Sequence, residues 1–245
     1  MSRIGLRTRL ILLGLLVAVV AVGVVVSSSG AEPPPPSGCK SVGTPSYCIA
    51  GVPLVSASEK IEGTNSGTSV LKTTIASVEA EVTCEKGKSK GTIEGGAAGT
   101  VGKSTMTDTL EKCKLIKPEN CELTEADEQE IKTGSLGGEL VLTSGRVEDK
   151  LKPKSGSTFA VVGIEGKEPS CVISHVAEEK TYPVTGSQLC EVDKGNAEAE
   201  TEAKTHSLTC KTSGSSLNVG GNKAEMTSEA TVNLTSGKNW SVKET

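Results

Sequence analysis

Glu225–Leu234 reads EMTSEATVNL, and its side chains divide cleanly into two faces. Met226, Ser228, Ala230, Val232 and Leu234 fall on one side, with Glu225, Thr227, Glu229, Thr231 and Asn233 on the other. This is the period of two expected of a strand with one face buried. The same alternation recurs in Val78–Cys84, VEAEVTC, where Val78, Ala80, Val82 and Cys84 oppose Glu79, Glu81 and Thr83. Thr105, Thr107 and Thr109 form another alternating row, too rich in β-branched residues to favour a helix. Further strands are expected at Glu139–Thr143, Val147–Leu151, Thr158–Ile164, Cys171–Val176 and Val184–Cys190.

Turn-forming Gly, Ser, Thr and Asn separate these stretches, and Glu85–Lys90 reads as a basic turn. Thr124 with Asp127 three residues on suggests a capping box for one or two helical turns in Thr124–Lys132. Asn196–Thr205, NAEAETEAKT, alternates Ala and Thr with charge and reads as an exposed strand. Strands spaced this closely, with no long amphipathic helix between them, predict an all-β domain, an antiparallel sandwich or barrel-like fold.

A hydrophobic helix precedes that domain. Leu10–Val26, LILLGLLVAVVAVGVVV, has no polar side chain, follows Arg3, Arg7 and Arg9, and no acid occurs before Glu32. Residues 1–31 therefore read as a signal peptide or a membrane anchor, with Ser29 and Ala31 placed for signal peptidase. Residues 32–38 are a Pro-rich spacer containing Pro33–Pro36, and 39–245 form the β domain. The expected location is secreted or cell-surface, with membrane contact only through the N-terminal segment if it is not cleaved.

Cleavage after Ala31 would remove three of the 26 basic residues, leaving 23 against 30 acids, about minus seven, with Arg146 as the sole arginine. An acidic surface of this kind is a poor counterion for a nucleic-acid backbone, so the expected partner is an extracellular or cell-envelope component and not nucleic acid. Tyr47, Phe159, Tyr182 and Trp240 are the only aromatic residues. A core without more rings gains less per residue on folding, and cross-links would compensate.

Cys39, Cys48, Cys84, Cys113, Cys121, Cys171, Cys190 and Cys210 are candidates for that role, an even number in an exported chain. Short loops containing Pro45 and Pro118 favour Cys39 with Cys48 and Cys113 with Cys121, leaving Cys190 with Cys210 and Cys84 with Cys171. No CxxC spacing occurs and there are two histidines, so neither a metal site nor a cofactor is expected.

VTCEKGKSKGTIE (Val82–Glu94), the cysteines at 113 and 121, EIKTGSLGGELVL (Glu130–Leu142), LKPKSGSTFA (Leu151–Ala160), Cys171 and VTGSQLCEV (Val184–Val192) resemble a paralogous family of exported, cysteine-containing actinobacterial proteins. The resemblance implies an all-β exported domain. That family brings no assigned activity and hence no site residues to carry over. Val82-Thr83-Cys84 is also echoed by Leu208-Thr209-Cys210, three residues that recur readily by chance.

Other patterns have simpler readings. Gly87–Gly91 matches the G-x-S-x-G nucleophile elbow but lacks the helix that must follow, so a hairpin turn is expected. Ala97–Ser104 approaches a phosphate-binding loop, but Ala97 stands in place of the first glycine and the following TMTDTLEKC is a poor helix to supply the dipole such a loop uses, so it is not expected to be one. Glu122, Glu125, Asp127, Glu128 and Glu130 lack calcium-loop spacing and read as a solvated acidic turn. The sequons at Asn233 and Asn239 carry no implication in a bacterial chain, and Trp240 reads as a plug at a core edge.

The expected function is a non-enzymatic structural or binding domain with no catalytic residue. One alternative is a secreted hydrolase using His175 or His206 as general base, oriented by Asp108, Asp127, Asp149 or Asp193. A second is a pocket for a small apolar ligand inside the fold.

Overall fold

The structure, a computed structural model, describes residues 44–97, 100–166, 170–173, 180–195 and 201–243. The N-terminal segment, the Pro-rich spacer, Cys39 and His175 lie outside the described residues. The chain opens with β1 (Ser46–Ile49), β2 (Val52–Pro53), β3 (Ser58–Asn65), β4 (Ser69–Ile75), β5 (Val78–Glu94) and β6 (Lys103–Lys117). Next come β7 (Cys121–Leu123), the short helix α1 (Glu125–Gln129), β8 (Glu130–Lys132), β9 (Leu136–Thr143) and β10 (Arg146–Pro153). Then β11 (Thr158–Gly166), β12 (Thr181–Thr185), β13 (Gln188–Val192), β14 (Thr205–Lys211), β15 (Asn218–Val219), β16 (Asn222–Leu234) and β17 (Trp240–Lys243) follow. The fold is all-β, and the strand ladders are antiparallel.

The alternating stretches behave as their period dictates. Ala224, Ala230, Val232 and Leu234 of β16 are buried while Glu225 and Thr227 are exposed. In β5, Ala80, Val82 and Cys84 are buried between half-buried or exposed polar residues. Burying one aliphatic side chain contributes about 1.5–3 kcal/mol, so a handful per strand orients each element.

Two cycles of strand pairing share the long strands β5, β6 and β16. The first runs β3, β5, β6, β9, β10, β13, β14, β16 and returns to β3. The second runs β4, β5, β6 and β8, crosses by the Thr133–Ala160 bridge to β11, and returns through β12, β15 and β16 to β4. Each has an apolar interior: Ile61, Ile93, Met106 and Val232 in the first, Val82, Ile131, Phe159 and Val184 in the second. A three-stranded sheet in the order β17, β1, β2 sends Tyr47 and Trp240 into the first interior.

Several local expectations are corrected. Glu85–Lys90 is not a turn but the middle of β5, paired with β6 from Lys86 onward and with β3 from Lys88 onward. Buried Cys84 is followed by exposed Glu85 and Lys86 and then buried Gly87, so alternation slips by one there and imitates a loop. A Cβ at Gly87 would lie 2.6 Å from the end of the Asn65 side chain, which would have to move to admit it. The hairpin reading of Gly87–Gly91 fails for the same reason.

Val184–Cys190 is two strands, broken at Gly186, which adopts φ +102° and packs against the Ser216 carbonyl. Cys171–Ile173, the described part of the expected Cys171–Val176 strand, is irregular. In the acidic Asn196–Thr205 segment only residues from 201 are described, and strand β14 starts at Thr205. The short helix exists at Glu125–Gln129, but Thr124 makes no side-chain cap. Asp127 instead accepts a hydrogen bond from the Gly163 N–H.

Candidate functional site

The polar groups buried in the first interior form the most unusual chemistry among the described residues. Asp149 on β10 is 3% exposed. Its Oδ2 accepts hydrogen bonds from Ser104 Oγ at 2.7 Å and Tyr47 Oη at 3.4 Å. Its Oδ1 has no hydrogen-bond partner among the described residues, and the Glu139 backbone gives the carboxylate a minor stabilising contact. Burial pushes this carboxyl up to about 6, against the opposing effect of the Ser104 and Tyr47 hydroxyls. Burial and then the neighbouring carboxylate raise the Tyr47 phenol well above its ordinary value. Gly138 of β9 makes the room, since a Cβ there would lie 1.9 Å from Ser104 Oγ and 2.3 Å from Asp149 Oδ1.

His206 on β14 stands across the same interior, 2% exposed. Its Nδ1 bonds Asp193 Oδ2, and its Nε2 lies 2.6 Å from the Trp240 carbonyl oxygen. The Asp193 Oδ1 accepts from the Ser207 backbone N–H at 2.7 Å and from its hydroxyl at 3.1 Å. Trp240 packs edge-on against the imidazole at 4.4 Å between centroids and meets Tyr47 at 6.3 Å. Of the four aspartates proposed as orienting partners, Asp193 is the one that reaches His206. The pair resembles a base and its orienter, yet Nε2, which would face a substrate, is committed to the backbone of β17. His206 thus fastens β14, the turn after β13 and the C-terminal strand to one another.

Asp108 faces inward near Ser89, and burial raises its carboxyl above the ordinary range. On the outer face, Lys211 Nζ contacts Glu148 Oε1 at 3.1 Å and also Glu191, while Arg146 Nη1 reaches Glu191 Oε1 at 3.4 Å. Burial alone would raise the Glu191 carboxyl, but Lys211 and Arg146 outweigh it and hold it below its ordinary value. Charge compensation across three strands, β10, β13 and β14, is what this cluster supplies.

The cysteines follow strand register instead of loop length. Cys84 opposes Cys113 in the β5–β6 ladder and is bonded to it, and Cys190 opposes Cys210 in the β13–β14 ladder and is bonded to it. Cys121 is bonded to Cys171 across 50 residues. The expected Cys113–Cys121 and Cys84–Cys171 pairings are thereby overturned, whereas Cys190–Cys210 stands. Cys48 is disulfide-bonded. The echo of VTC in LTC has a structural counterpart: Cys84 lies between Cys113 and Ser69, Cys210 between Cys190 and Ser228.

The remaining sequence candidates do not converge. Within the acidic segment, Glu122, Glu125, Asp127, Glu128 and Glu130 spread over β7, α1 and β8, and no cluster of three metal-ligating side chains occurs among the described residues. All four aromatic residues are buried, with Trp240 4% exposed, so no ring is displayed for stacking on a glycan. Asn233 Oδ1 accepts from Thr205 Oγ1 at 2.6 Å, and Asn239 uses its backbone carbonyl to accept from Ala50. The interior cavities are about 40 and 30 Å³, room for a few waters and far below the roughly 300 Å³ of a small-molecule pocket.

Fold and site together define a class: an all-β antiparallel protein cross-linked by disulfides between paired strands. No family model, curated protein or solved structure matches the chain.

Proposed function

We propose that this chain is an exported or cell-surface domain with a structural or binding role and no catalytic one. The observation that carries the reading is the placement of the disulfides. Two bridges join residues directly opposed in a ladder and a third spans 50 residues, an arrangement suited to an oxidising exterior. In finer detail, the closed eight-strand cycle makes a barrel-like domain, which follows a hydrophobic N-terminal helix acting as signal peptide or anchor. The partner is a component of the cell envelope or its surroundings.

The use of His206 as a structural fastener supports a non-catalytic reading over a hydrolase based on that residue. Fractionation of the host, with surface proteolysis and non-reducing electrophoresis, tests the proposal. Protein recovered outside the membrane and oxidised is the expected result. A chain found reduced in the cytoplasm would overturn it.

A further inference from the structure

The outer face of the first cycle carries an open groove of about 240 Å³ across β6, β9 and β10. Thr105 and Gly137, directly opposed in register, form its floor. The missing side chain at Gly137 leaves real space, since a Cβ there would meet nothing nearer than 3.9 Å. Lys103, Lys152 and Lys154 stand around it, all exposed and none ion-paired among the described residues. Lys103 lies in register between Glu94 and Glu139, which offset its charge. Lys152 lies opposite Gly137 instead and has no such neighbour there. Lys154 follows the end of β10, and its Cβ lies 3.9 Å from where a Cβ on Gly137 would stand, so it borders the same floor as Lys152.

We infer that this groove binds a phosphate group, through the Lys152 and Lys154 ammoniums with the Thr105 hydroxyl as a further donor. Lysine ammoniums are point charges with rotatable donors, suited to a tetrahedral oxyanion approached from several sides. A carboxylate is held best by a planar guanidinium fork, and Arg146 is already engaged by Glu191. The overall acidity of the chain opposes a long polyanion, but charges more than about 8 Å away are largely screened at physiological salt, leaving the local lysines in control. The inference rests on reading the chain as an exported binding domain, for which soluble phosphates and lipid headgroups are both within reach.

The test is titration of inorganic phosphate into ¹⁵N-labelled protein isolated from its host with disulfides intact. Saturable shifts confined to residues 103–105, 137–139 and 152–154 are expected, with affinity at least about tenfold weaker in K152E/K154E at unchanged melting temperature. Gly137→Val, which fills the floor at a position with space for a Cβ, should weaken binding without altering charge. A flat titration, equal shifts at Lys60 and Lys90, or full binding by K152E/K154E would overturn the inference.

Sedimentation with phosphatidylglycerol vesicles distinguishes the source. Lysine-dependent co-sedimentation places the phosphate on a lipid headgroup, and phosphate binding without it places the ligand in solution. A flat titration of protein that fractionates outside the cell and oxidised would sink the phosphate inference alone. A reduced cytoplasmic chain would remove the reading beneath it.

Discussion

Asp149→Asn is the substitution whose effect follows most directly from the buried cluster. In the unfolded chain this carboxyl ionises near 3.8, whereas in the fold, where burial disfavours the charge, it ionises near about 6. Below 3.8 both states are protonated and the group is neutral in its effect. As pH rises from 3.8 to about 6 the unfolded chain releases its proton and the folded chain does not, so stability falls. Above about 6 the loss is constant. At about 1.4 kcal/mol per pH unit the gap corresponds to about 3 kcal/mol at neutral pH.

Asparagine keeps an acceptor for Ser104 Oγ and Tyr47 Oη but cannot ionise. Any cost of seating its amide where Oδ1 now sits is the same at every pH, so the diagnostic quantity is the change in the variant's relative stability between pH 4 and pH 7.5. For a domain of this size about 3 kcal/mol is about 6–12 °C in Tm. Thermal and urea unfolding across that range should show Asp149→Asn gaining on the wild type by about this amount as pH rises. Parallel stability curves for the two proteins would refute the reasoning, because they would mean that the carboxyl is not held away from water in the fold.

The disulfides should rank by the chain they close. In the loop-entropy picture Cys121→Ser/Cys171→Ser costs about 4 kcal/mol and Cys190→Ser/Cys210→Ser about 3, and urea midpoints in the reverse order would contradict it. His206→Ala should destabilise the fold by about 3 kcal/mol, since it empties a buried site and strips Asp193 and the Trp240 carbonyl of a partner. Loss of a hydrolytic activity at unchanged stability would instead make His206 a catalytic group.

Strand content was legible because burial on one face writes itself into alternate residues, as in Glu225–Leu234 and Val78–Cys84. Where alternation slips, as at Glu85–Lys86 in β5, a continuous strand looks like a turn. Disulfide partners were not legible by loop length, because the β5–β6 hairpin brings Cys84 opposite Cys113 across 29 residues. Cys121, eight residues from Cys113, leaves that hairpin to pair with β11. Had the two strands been aligned turn to turn, Cys84 and Cys113 would have met in register.

The buried cluster carried no local signal at all. Glu148 and Asp149 are consecutive acids in RVEDKLKP, and only the neighbours brought in by β1, β6 and β14 decide that one meets Lys211 and the other Ser104 and Tyr47. Among the histidine's four candidate partners, Asp193 could have been favoured by its position just ahead of the segment that leads into β14. Its occupation of Nδ1 was readable in principle, but the capture of Nε2 by β17 was not.

Intact mass of the protein from its host, with alkylation before any reduction, bears most directly on the claim of an exported domain locked by disulfides. A mass beginning near Glu32, eight hydrogens light and unchanged by alkylation, is the predicted result. A full-length chain whose cysteines all take up the alkylating reagent would contradict the account.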